Sequence, residues 1–151
     1  MQDLEPILAE HRFLKGLAPS YLQELVSCAS NVRFEAGQYI FHQGEEANTF
    51  YAVRQGKVAL EIFVPGRGGV VIQDVGEGDI LGWSWLIPPH RWRFDARAAE
   101  LTRALAFDGV CLRRKCEEDH DFGYELLRRF SEVITQRLEA TRLQILDVYH
   151  G

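Results

Sequence analysis

The stretch FEAGQYIFHQGEEANTFYAVRQGKV, residues 34–58, decides the fold of this chain. Short runs of residues that favour β-strands alternate in it with glycines at Gly37, Gly44 and Gly56. Glycine adopts backbone angles that other residues avoid, so each glycine falls where a strand must turn. The pattern predicts short strands joined by tight turns.

The β pattern continues to about residue 107. Over residues 57–64 the apolar side chains alternate with a period of two, which is typical of a half-buried strand. A turn rich in glycine and proline, residues 65–69, leads into a partner strand over 70–75, and residues 102–107 supply a closing strand. Many short strands with glycine turns predict an antiparallel roll rather than a parallel sheet.

Apolar residues with helical spacing precede the strands. They predict helices over residues 4–11 and 19–29, with Pro19 in the first turn of the second helix. A short connector over residues 13–17 is expected to pack both helices onto the roll.

Two helices are predicted after the strands. Asp108 is placed to cap a short helix over residues 109–117, and Asp119 or Asp121 to start a longer helix that reaches Tyr149.

Several positions of the opening stretch match the spacing of one known family. They are Gly37, Gly44, Glu45, Ala47, Phe50, Tyr51 and Gly56. On these residues the chain resembles the cyclic-nucleotide-binding sensor domain of the catabolite-activator (Crp/Fnr) regulators of bacteria. The resemblance implies a mainly β fold with flanking helices: an antiparallel β-roll of the double-stranded β-helix or jelly-roll type, with N-terminal helices and a long C-terminal helix. We expect one such domain over residues 1–151, divided into N-terminal helices over 1–30, a β-roll over 31–107 and C-terminal helices over 108–149.

The composition is that of an ordinary globular protein. The chain has 151 residues, 46% of them hydrophobic and 26% charged, which suffices for one domain with a sizeable core. No run approaches the roughly 20 apolar residues of a membrane helix, and the N-terminus lacks the pattern of a signal peptide. We therefore expect a cytoplasmic protein without membrane contact. The net charge of −5 argues against a nucleic-acid surface.

The three cysteines form no even disulfide framework. Cys111 and Cys116 are five residues apart, which suits neither a redox pair nor a zinc site. Together with Cys28, they are expected to be buried or half-buried free thiols.

No pattern points to catalysis or to a metal. His42, His90 and His120 have no metal-ligand spacing, although the resemblance raises haem ligation by His11, His42 or His90 as an alternative. Ser84 precedes His90 without the G-x-S-x-G turn of a nucleophilic serine. The sequence predicts neither an enzyme nor a bound metal.

In the family that this chain resembles, a turn of the form G-D-x-x-G-E holds the phosphate and ribose of the ligand, and the glutamate accepts a hydrogen bond from the ribose. The matching text here is GDILGWSWL, residues 78–86. Gly82 fits its position, but Trp83 stands at the position of the glutamate. An indole donates one hydrogen bond and accepts none, so the ribose contact is lost.

The family also pairs the cyclic phosphate with an arginine further along the chain. Counting back from the closing strand puts Trp92 at that position, whereas counting forward from Gly82 reaches Arg93. Arg91 and Arg93 flank Trp92, so an arginine for an anion is available on either side.

Three tryptophans, Trp83, Trp85 and Trp92, lie within ten residues. Either they close a pocket that has lost its ligand, or they form the walls of an altered pocket in which an arginine meets a negative group. The candidate ligand-binding residues are Gly82, Trp83, Ser84, Trp85, Arg91, Trp92 and Arg93. The expected effector is a small molecule, partly aromatic or anionic. Binding of a cyclic nucleotide through the usual contacts is not favoured, and no other cofactor is predicted.

The long C-terminal helix carries an apolar stripe that needs a partner. Its residues are Leu127, Phe130, Ile134, Leu138, Thr141, Ile145 and Val148. In the resembled family the equivalent helix pairs with its twin, which predicts a homodimer; the alternative is that the stripe packs against the chain's own roll. The sequence ends at Gly151 without the helix-turn-helix region of the family's transcription factors, so direct DNA binding is not expected.

Two functions fit these observations. The first is a non-enzymatic, dimeric, ligand-sensing regulatory domain with a tryptophan-rich altered pocket. The second is a ligand-free interaction or dimerisation module that acts through a partner regulator.

Overall fold

A computed structural model of the protein describes residues 4–150, so residues 1–3 and 151 of the expected domain lie outside the described part. The described residues form eight strands: β1 Ala29–Phe34, β2 Tyr39–Phe41, β3 Thr49–Gln55, β4 Lys57–Val64, β5 Gly68–Gly76, β6 Ile80–Leu81, β7 Asp95–Ala98 and β8 Thr102–Asp108. Four helices flank them: α1 Glu5–Glu10, α2 Pro19–Val26, α3 Gly109–Glu118 and α4 His120–His150.

The strands form two four-stranded sheets, in the orders β1-β8-β3-β6 and β2-β7-β4-β5. Every pairing is antiparallel. The predicted fold class, an antiparallel roll with flanking helices and a long C-terminal helix, is confirmed. The strand predicted over residues 57–64 is β4, with the same limits.

Strand β3 contributes to two separate cores because its side chains alternate between the two faces of the sheet. Phe50 and Ala52 face the helices, where they join buried residues of α1, α2, α3 and α4. Val53 and Tyr51 face the interior of the roll, where they pack with residues of the second sheet. The sheet that contains β3 therefore packs against the helices on one face and lines the roll interior on the other.

The connector between α1 and α2 packs onto the roll, as predicted. Phe13, Leu14 and Leu17 are all buried in the helix-facing core. The Phe13 ring meets Phe50 of β3 and Phe130 of α4 edge-on, with ring centroids 6.3 and 5.0 Å away.

Aspartates begin both C-terminal helices. The Asp108 carboxylate accepts hydrogen bonds from the backbone N–H groups of Val110 and Cys111, which caps α3 as predicted. Asp119 accepts from the N–H groups of Asp121 and Phe122, so of the two candidates it is Asp119 that begins the long helix. No helix in the described range is long and apolar enough to span a bilayer.

The helix predicted over residues 19–29 ends earlier, at Val26. Ala29, the predicted last residue of the helix, is instead the first residue of β1, where it pairs with Phe107.

Strand β4 is more buried than its period of two predicts. Ala59 and Glu61 are buried along with Val58 and Leu60. Side chains of neighbouring strands contact Glu61 on the outer face of the sheet: Tyr39 of β2 and Arg97 of β7. The buried Glu61 carboxylate is compensated by Arg97 of β7, whose Nη2 lies 3.1 Å from Glu61 Oε2.

Gly56 forms the turn between β3 and β4 with φ of +102°, which favours glycine. A Cβ atom at this position would lie 2.4 Å from the Leu101 carbonyl oxygen. The glycine of the opening stretch is therefore required both by backbone angle and by the close passage of another strand.

The prediction of three free thiols is wrong. Cys28 and Cys111 form a disulfide across 83 residues of sequence, and only Cys116 is free. Cys28 precedes β1 and Cys111 lies in the first turn of α3, directly after β8. Because β1 and β8 are paired with Ala29 opposite Phe107, the two cysteines meet at one end of this ladder. Sequence spacing alone gave no sign of this approach.

We expect reduction of the Cys28–Cys111 disulfide to lower the free energy of unfolding by about 4 kcal/mol, because the bond restrains a long loop in the unfolded chain. Urea unfolding with and without a reductant measures the difference. Cys116→Ser is the matched control and should respond to the reductant as the wild type does, whereas Cys111→Ser should not respond. An equal response of Cys111→Ser and the wild type would contradict the assignment.

Candidate functional site

Trp92 lies inside the roll, where it fills space above Gly82. Its indole is 4% exposed and stacks on the Phe41 ring, with centroids 3.7 Å apart and planes within 5°. A Cβ atom added at Gly82 would lie 2.5 Å from the Trp92 indole, and Gly82 has φ of +94°. The glycine is thus required by the indole that covers it.

Backbone hydrogen bonds hold Trp92 in this position. The Gly44 N–H donates to the Trp92 carbonyl at 2.8 Å, and the Trp92 N–H donates to the Glu45 carbonyl at 3.0 Å. The Ala47 N–H donates to the His90 carbonyl at 2.8 Å. The glycine turn of the opening stretch therefore positions the segment that carries Trp92.

A cleft of about 520 Å³ lies beside the Trp92–Phe41 stack. It is lined by Ile40, Phe41, Glu45, Glu46, Asn48, Thr49, Tyr51 and Trp92. Two of these residues are acidic and none is basic. Burial raises the pKa of Tyr51, so its hydroxyl stays protonated at neutral pH. The cleft combines aromatic walls with negative charge, which suits a neutral or cationic molecule better than an anion.

Trp83 is half-buried and lies against α4. The Arg137 guanidinium carbon lies 4.9 Å from the centroid of the Trp83 ring, within the range of a cation–π contact. Arg137 itself is buried, and its Nη2 donates to the Ile80 carbonyl. The residue at the glutamate's position therefore contacts the long helix.

Trp85 and Ser84 lie away from the Trp92 cleft. Trp85 is fully buried in the helix-facing core, stacked on Phe50 at 5.1 Å and edge-on to Phe130 at 5.4 Å. Ser84 is also buried, at 6% exposure. After Gly82 the chain forms a single turn, in which the Leu86 N–H donates to the Trp83 carbonyl, instead of a helix.

Neither arginine beside Trp92 enters the roll. Arg91 and Arg93 are both exposed, and Arg91 Nη1 donates to the Gly44 carbonyl at 3.2 Å. Of the seven candidate residues, Gly82 and Trp92 contact each other, and Trp92 alone lines the cleft. The other five lie elsewhere.

The comparison with known protein families decides the affiliation. The model of the cyclic nucleotide-binding domain matches residues 31–119. The chain belongs to this family. The match runs from within β1 to the start of α4 and includes the Gly82–Trp92 contact.

One curated relative and two solved structures are similar to this cyclic nucleotide-binding domain over most of its length. A CRP-like cAMP-activated global transcriptional regulator of Mycobacterium tuberculosis is 25% identical over 145 residues, which cover 96% of this chain and 63% of the regulator. The chain thus spans less than two thirds of that relative's length. A cyclic nucleotide-binding protein structure from Geobacter metallireducens has a TM-score of 0.80 at 25% identity, and the overlap covers 91% of this chain and 99% of that one. A cyclic nucleotide-binding domain from Methylobacillus flagellatus has a TM-score of 0.84 at 17% identity over 95% of this chain and 85% of that one, which supports the fold alone.

Two residues that contact the candidate site residues of this cyclic nucleotide-binding domain, Phe41 and Arg137, were not among those predicted from the sequence. Phe41 supports Trp92, but its only sequence signal is a place in a short β run. Arg137 lies beside the apolar stripe of the long helix and is buried against Trp83. A charged residue within an apolar helix face was the signal that marked it.

His11, one of the three histidines considered as haem ligands, forms hydrogen bonds with the backbone through both ring nitrogens. His11 is buried, its Nδ1 accepts from the Phe13 N–H at 3.2 Å, and its Nε2 donates to the Val53 carbonyl at 3.1 Å. Burial lowers the pKa of His11, which favours this neutral form. Among the described residues no three His, Cys, Asp or Glu side chains are grouped to hold a metal ion.

The apolar stripe of α4 divides into two parts. Phe130 is fully buried in the chain's own core and Ile134 is half-buried, so Phe130 is not open to a partner. Leu138, Ile145 and Val148 are 50, 51 and 81% exposed. The remaining stripe residues, Leu127 and Thr141, are exposed as well.

We expect the Gly82–Trp92 contact to appear as energetic coupling. Gly82→Ala should lower the free energy of unfolding by about 3 kcal/mol, the sum of backbone strain and the clash with Trp92. In a Trp92→Leu background the clash is relieved, so the same substitution should cost about 1–2 kcal/mol less. A urea-unfolding double-mutant cycle measures this coupling.

Gly37→Ala is the matched control for the cycle. Gly37 has φ of +89° with open space around it, so this variant isolates the backbone term of about 1–2 kcal/mol and should not couple to Trp92. Additive effects of Gly82→Ala and Trp92→Leu would mean that the indole does not rest on Gly82.

Proposed function

We propose that this chain is a non-enzymatic regulatory domain in which Trp92 occupies the phosphate position of the family's pocket, and that it acts through protein contacts of α4. The single observation that carries the proposal is the buried Trp92 indole, stacked on Phe41 and resting on Gly82. An interior is close-packed, so a side chain that fills a site leaves no room for a ligand there.

The charges around Trp92 also oppose a cyclic phosphate. In the usual contact an arginine neutralises the phosphate, but Arg91 and Arg93 are exposed here. The adjoining cleft instead presents Glu45 and Glu46, which would repel an anion. The lost glutamate adds to this, because the Trp83 indole accepts no hydrogen bond from a ribose hydroxyl. The M. tuberculosis relative is described as cAMP-activated; we infer that this chain does not share that ligand.

A second candidate function follows from the cleft itself. Its volume of about 520 Å³ lies in the range of small-molecule sites. Tyr51 and Trp92 offer aromatic surface and the two glutamates offer negative charge, so the effector would be a neutral or cationic aromatic molecule. This candidate corresponds to the ligand-sensing function predicted from the sequence. It differs in the charge of the effector, which would be neutral or cationic instead of anionic.

The proposal predicts that cAMP and cGMP at about 1 mM leave the melting temperature unchanged, because a ligand stabilises only when its concentration approaches Kd. A double variant, Trp83→Glu with Trp92→Arg, restores the two residues of the family's cassette. It should gain measurable affinity for a cyclic nucleotide by calorimetry. Saturable wild-type binding that is lost in Trp92→Ala would overturn the proposal.

Dimerisation through α4 is the second part of the proposal. The exposed apolar residues from Leu138 to Val148 support it, since a row of exposed aliphatic side chains on one helix is stabilised by a matching surface. In the family that the sequence resembles, this helix pairs with its twin.

We expect a dimer by light scattering coupled to size exclusion. Leu138→Glu with Ile145→Glu should weaken the dimer more than a hundredfold, because two charges would be buried in an apolar seam. Thr135→Glu, at an exposed position outside the stripe, is the control and should leave the mass unchanged. A monomeric wild type at tens of micromolar, or an unaffected double variant, would contradict this part.

A further inference from the structure

The two cysteines of the disulfide are held together by backbone contacts that do not depend on the bond. Strands β1 and β8 pair antiparallel along the whole of β1, from Ala29 opposite Phe107 onward. The Asp108 N–H donates to the Cys28 carbonyl at 2.9 Å, beside the bond to Cys111. Breaking the sulfur–sulfur bond leaves these contacts in place, so the two thiols stay close together. Reoxidation is then an intramolecular step at a high effective concentration.

The fold does not require the bond. Domains that depend on disulfides are usually too short to build a sufficient hydrophobic core. This chain has 151 residues and two cores, and the helix-facing core draws on all four helices. Glu24 of α2 and Lys115 of α3, each four residues from a cysteine of the disulfide, form an ion pair that also survives reduction. We therefore expect the reduced protein to stay folded.

One of the two sulfurs is open to attack by an external thiol. Cys28 is buried, whereas Cys111 is half-buried in the first turn of α3. The third cysteine does not compete, because burial raises the pKa of Cys116 and its thiol stays protonated at neutral pH. A small thiol therefore reaches the bond from the side of Cys111.

The start of α3, which carries Cys111, is tied to the aromatic cleft and to the turn after β6. The Gly109 N–H donates to the Asn48 carbonyl at 2.7 Å, and Arg113 Nη2 donates to Asn48 Oδ1 at 3.1 Å. Asn48 lines the cleft beside the tryptophan–phenylalanine stack. Arg113 Nη1 donates to the carbonyl of Trp85, which lies in the turn after β6. The disulfide thus restrains the helical turn that makes all of these contacts.

We propose that Cys28–Cys111 is a redox-active site that exchanges reversibly with small thiols, and that its state controls how firmly the start of α3 holds Asn48 and Trp85. The disulfide form restrains these contacts and the dithiol form loosens them. The proposal does not rest on the function assigned to Trp92 or to α4.

The exchange balances with two small thiols. The thiolate of the first attacks the Cys111 sulfur, and the sulfur–sulfur bond breaks. Cys28 leaves as a thiolate with the electron pair and takes up a proton. The second small thiol attacks the sulfur of the first in the mixed disulfide, which frees Cys111 as a thiol and yields the disulfide of the small thiol. The protein gains two electrons and two protons, which the two small thiols lose.

Glutathione is the probe for the exchange. The native protein is equilibrated at pH 7.5 with about 10 mM total glutathione at different ratios of thiol to disulfide. Its free thiols are then alkylated under denaturing conditions and counted by mass spectrometry. We expect the count to rise from one to three per chain as glutathione thiol replaces glutathione disulfide, and to return to one when the ratio is reversed. A count that stays at one at every ratio overturns the proposal and makes the bond a structural one.

Cysteine variants identify the reacting pair. Cys116→Ser should gain two thiols over the same range of ratios, as the wild type does. The double variant Cys28→Ser with Cys111→Ser keeps only Cys116 and should show one thiol at every ratio. A change of the count in the double variant, or no change in Cys116→Ser, would contradict the assignment.

Hydrogen exchange of the oxidised and reduced wild type measures the consequence for α3. Backbone amides at the start of α3 and around Asn48 should exchange about tenfold faster in the reduced protein, because their restraint is lost. Strands β4 and β5 lie in the other sheet and are the internal control, with no change expected. Equal exchange at the start of α3 in both redox states would overturn the proposed control.

Arg113→Gln tests the path from α3 to Asn48. It removes the side-chain contacts with Asn48 and Trp85, so the redox response around Asn48 should shrink while glutathione exchange continues. Arg103→Gln changes an exposed arginine of β8 and is the control, with a response like that of the wild type. An equal redox response around Asn48 in the two variants would overturn transmission through Arg113.

Discussion

The alternation of side chains along β3 is the constraint on which the rest of the structure depends. Phe50 points toward the helices and Tyr51 toward the roll interior, so one strand serves two cores. Trp85 and Phe130 pack on Phe50, which fixes α4 against the sheet. A one-residue slip of β3 would exchange the two faces and dismantle both cores together.

Much of the fold could be predicted because it depends on local signals. The glycine turns, the strand over residues 57–64 and the Asp108 cap all follow from backbone angles, periodicity and hydrogen bonding within a few residues. The Cys28–Cys111 disulfide could not be predicted in the same way, because it depends on the register of β1 against β8. Contacts across 83 residues of sequence are decided by topology, which no spacing rule records.

The sequence named candidate residues for a site but could not give the directions of their side chains. Gly82 and Trp92 were both candidates, and in the structure they lie against each other. It could not determine where the other side chains point: Trp85 enters the helix-facing core, Trp83 contacts Arg137 of α4, and both arginines beside Trp92 are exposed. Rotamers in a loop are decided by the packing around it, and that packing involves residues far away in sequence.

The Trp92 indole is part of the polypeptide, and this changes how the space above Gly82 is filled. A diffusible molecule fills a site according to its concentration, whereas a tethered side chain is always present at a high effective concentration. Any opening of the loop that carries the tryptophan would be a unimolecular equilibrium, with no second-order step. The backbone hydrogen bonds from Gly44 and to Glu45 favour the packed side of it. Temperature, mechanical strain or a protein that grips the loop would shift it, while dilution of the protein would not.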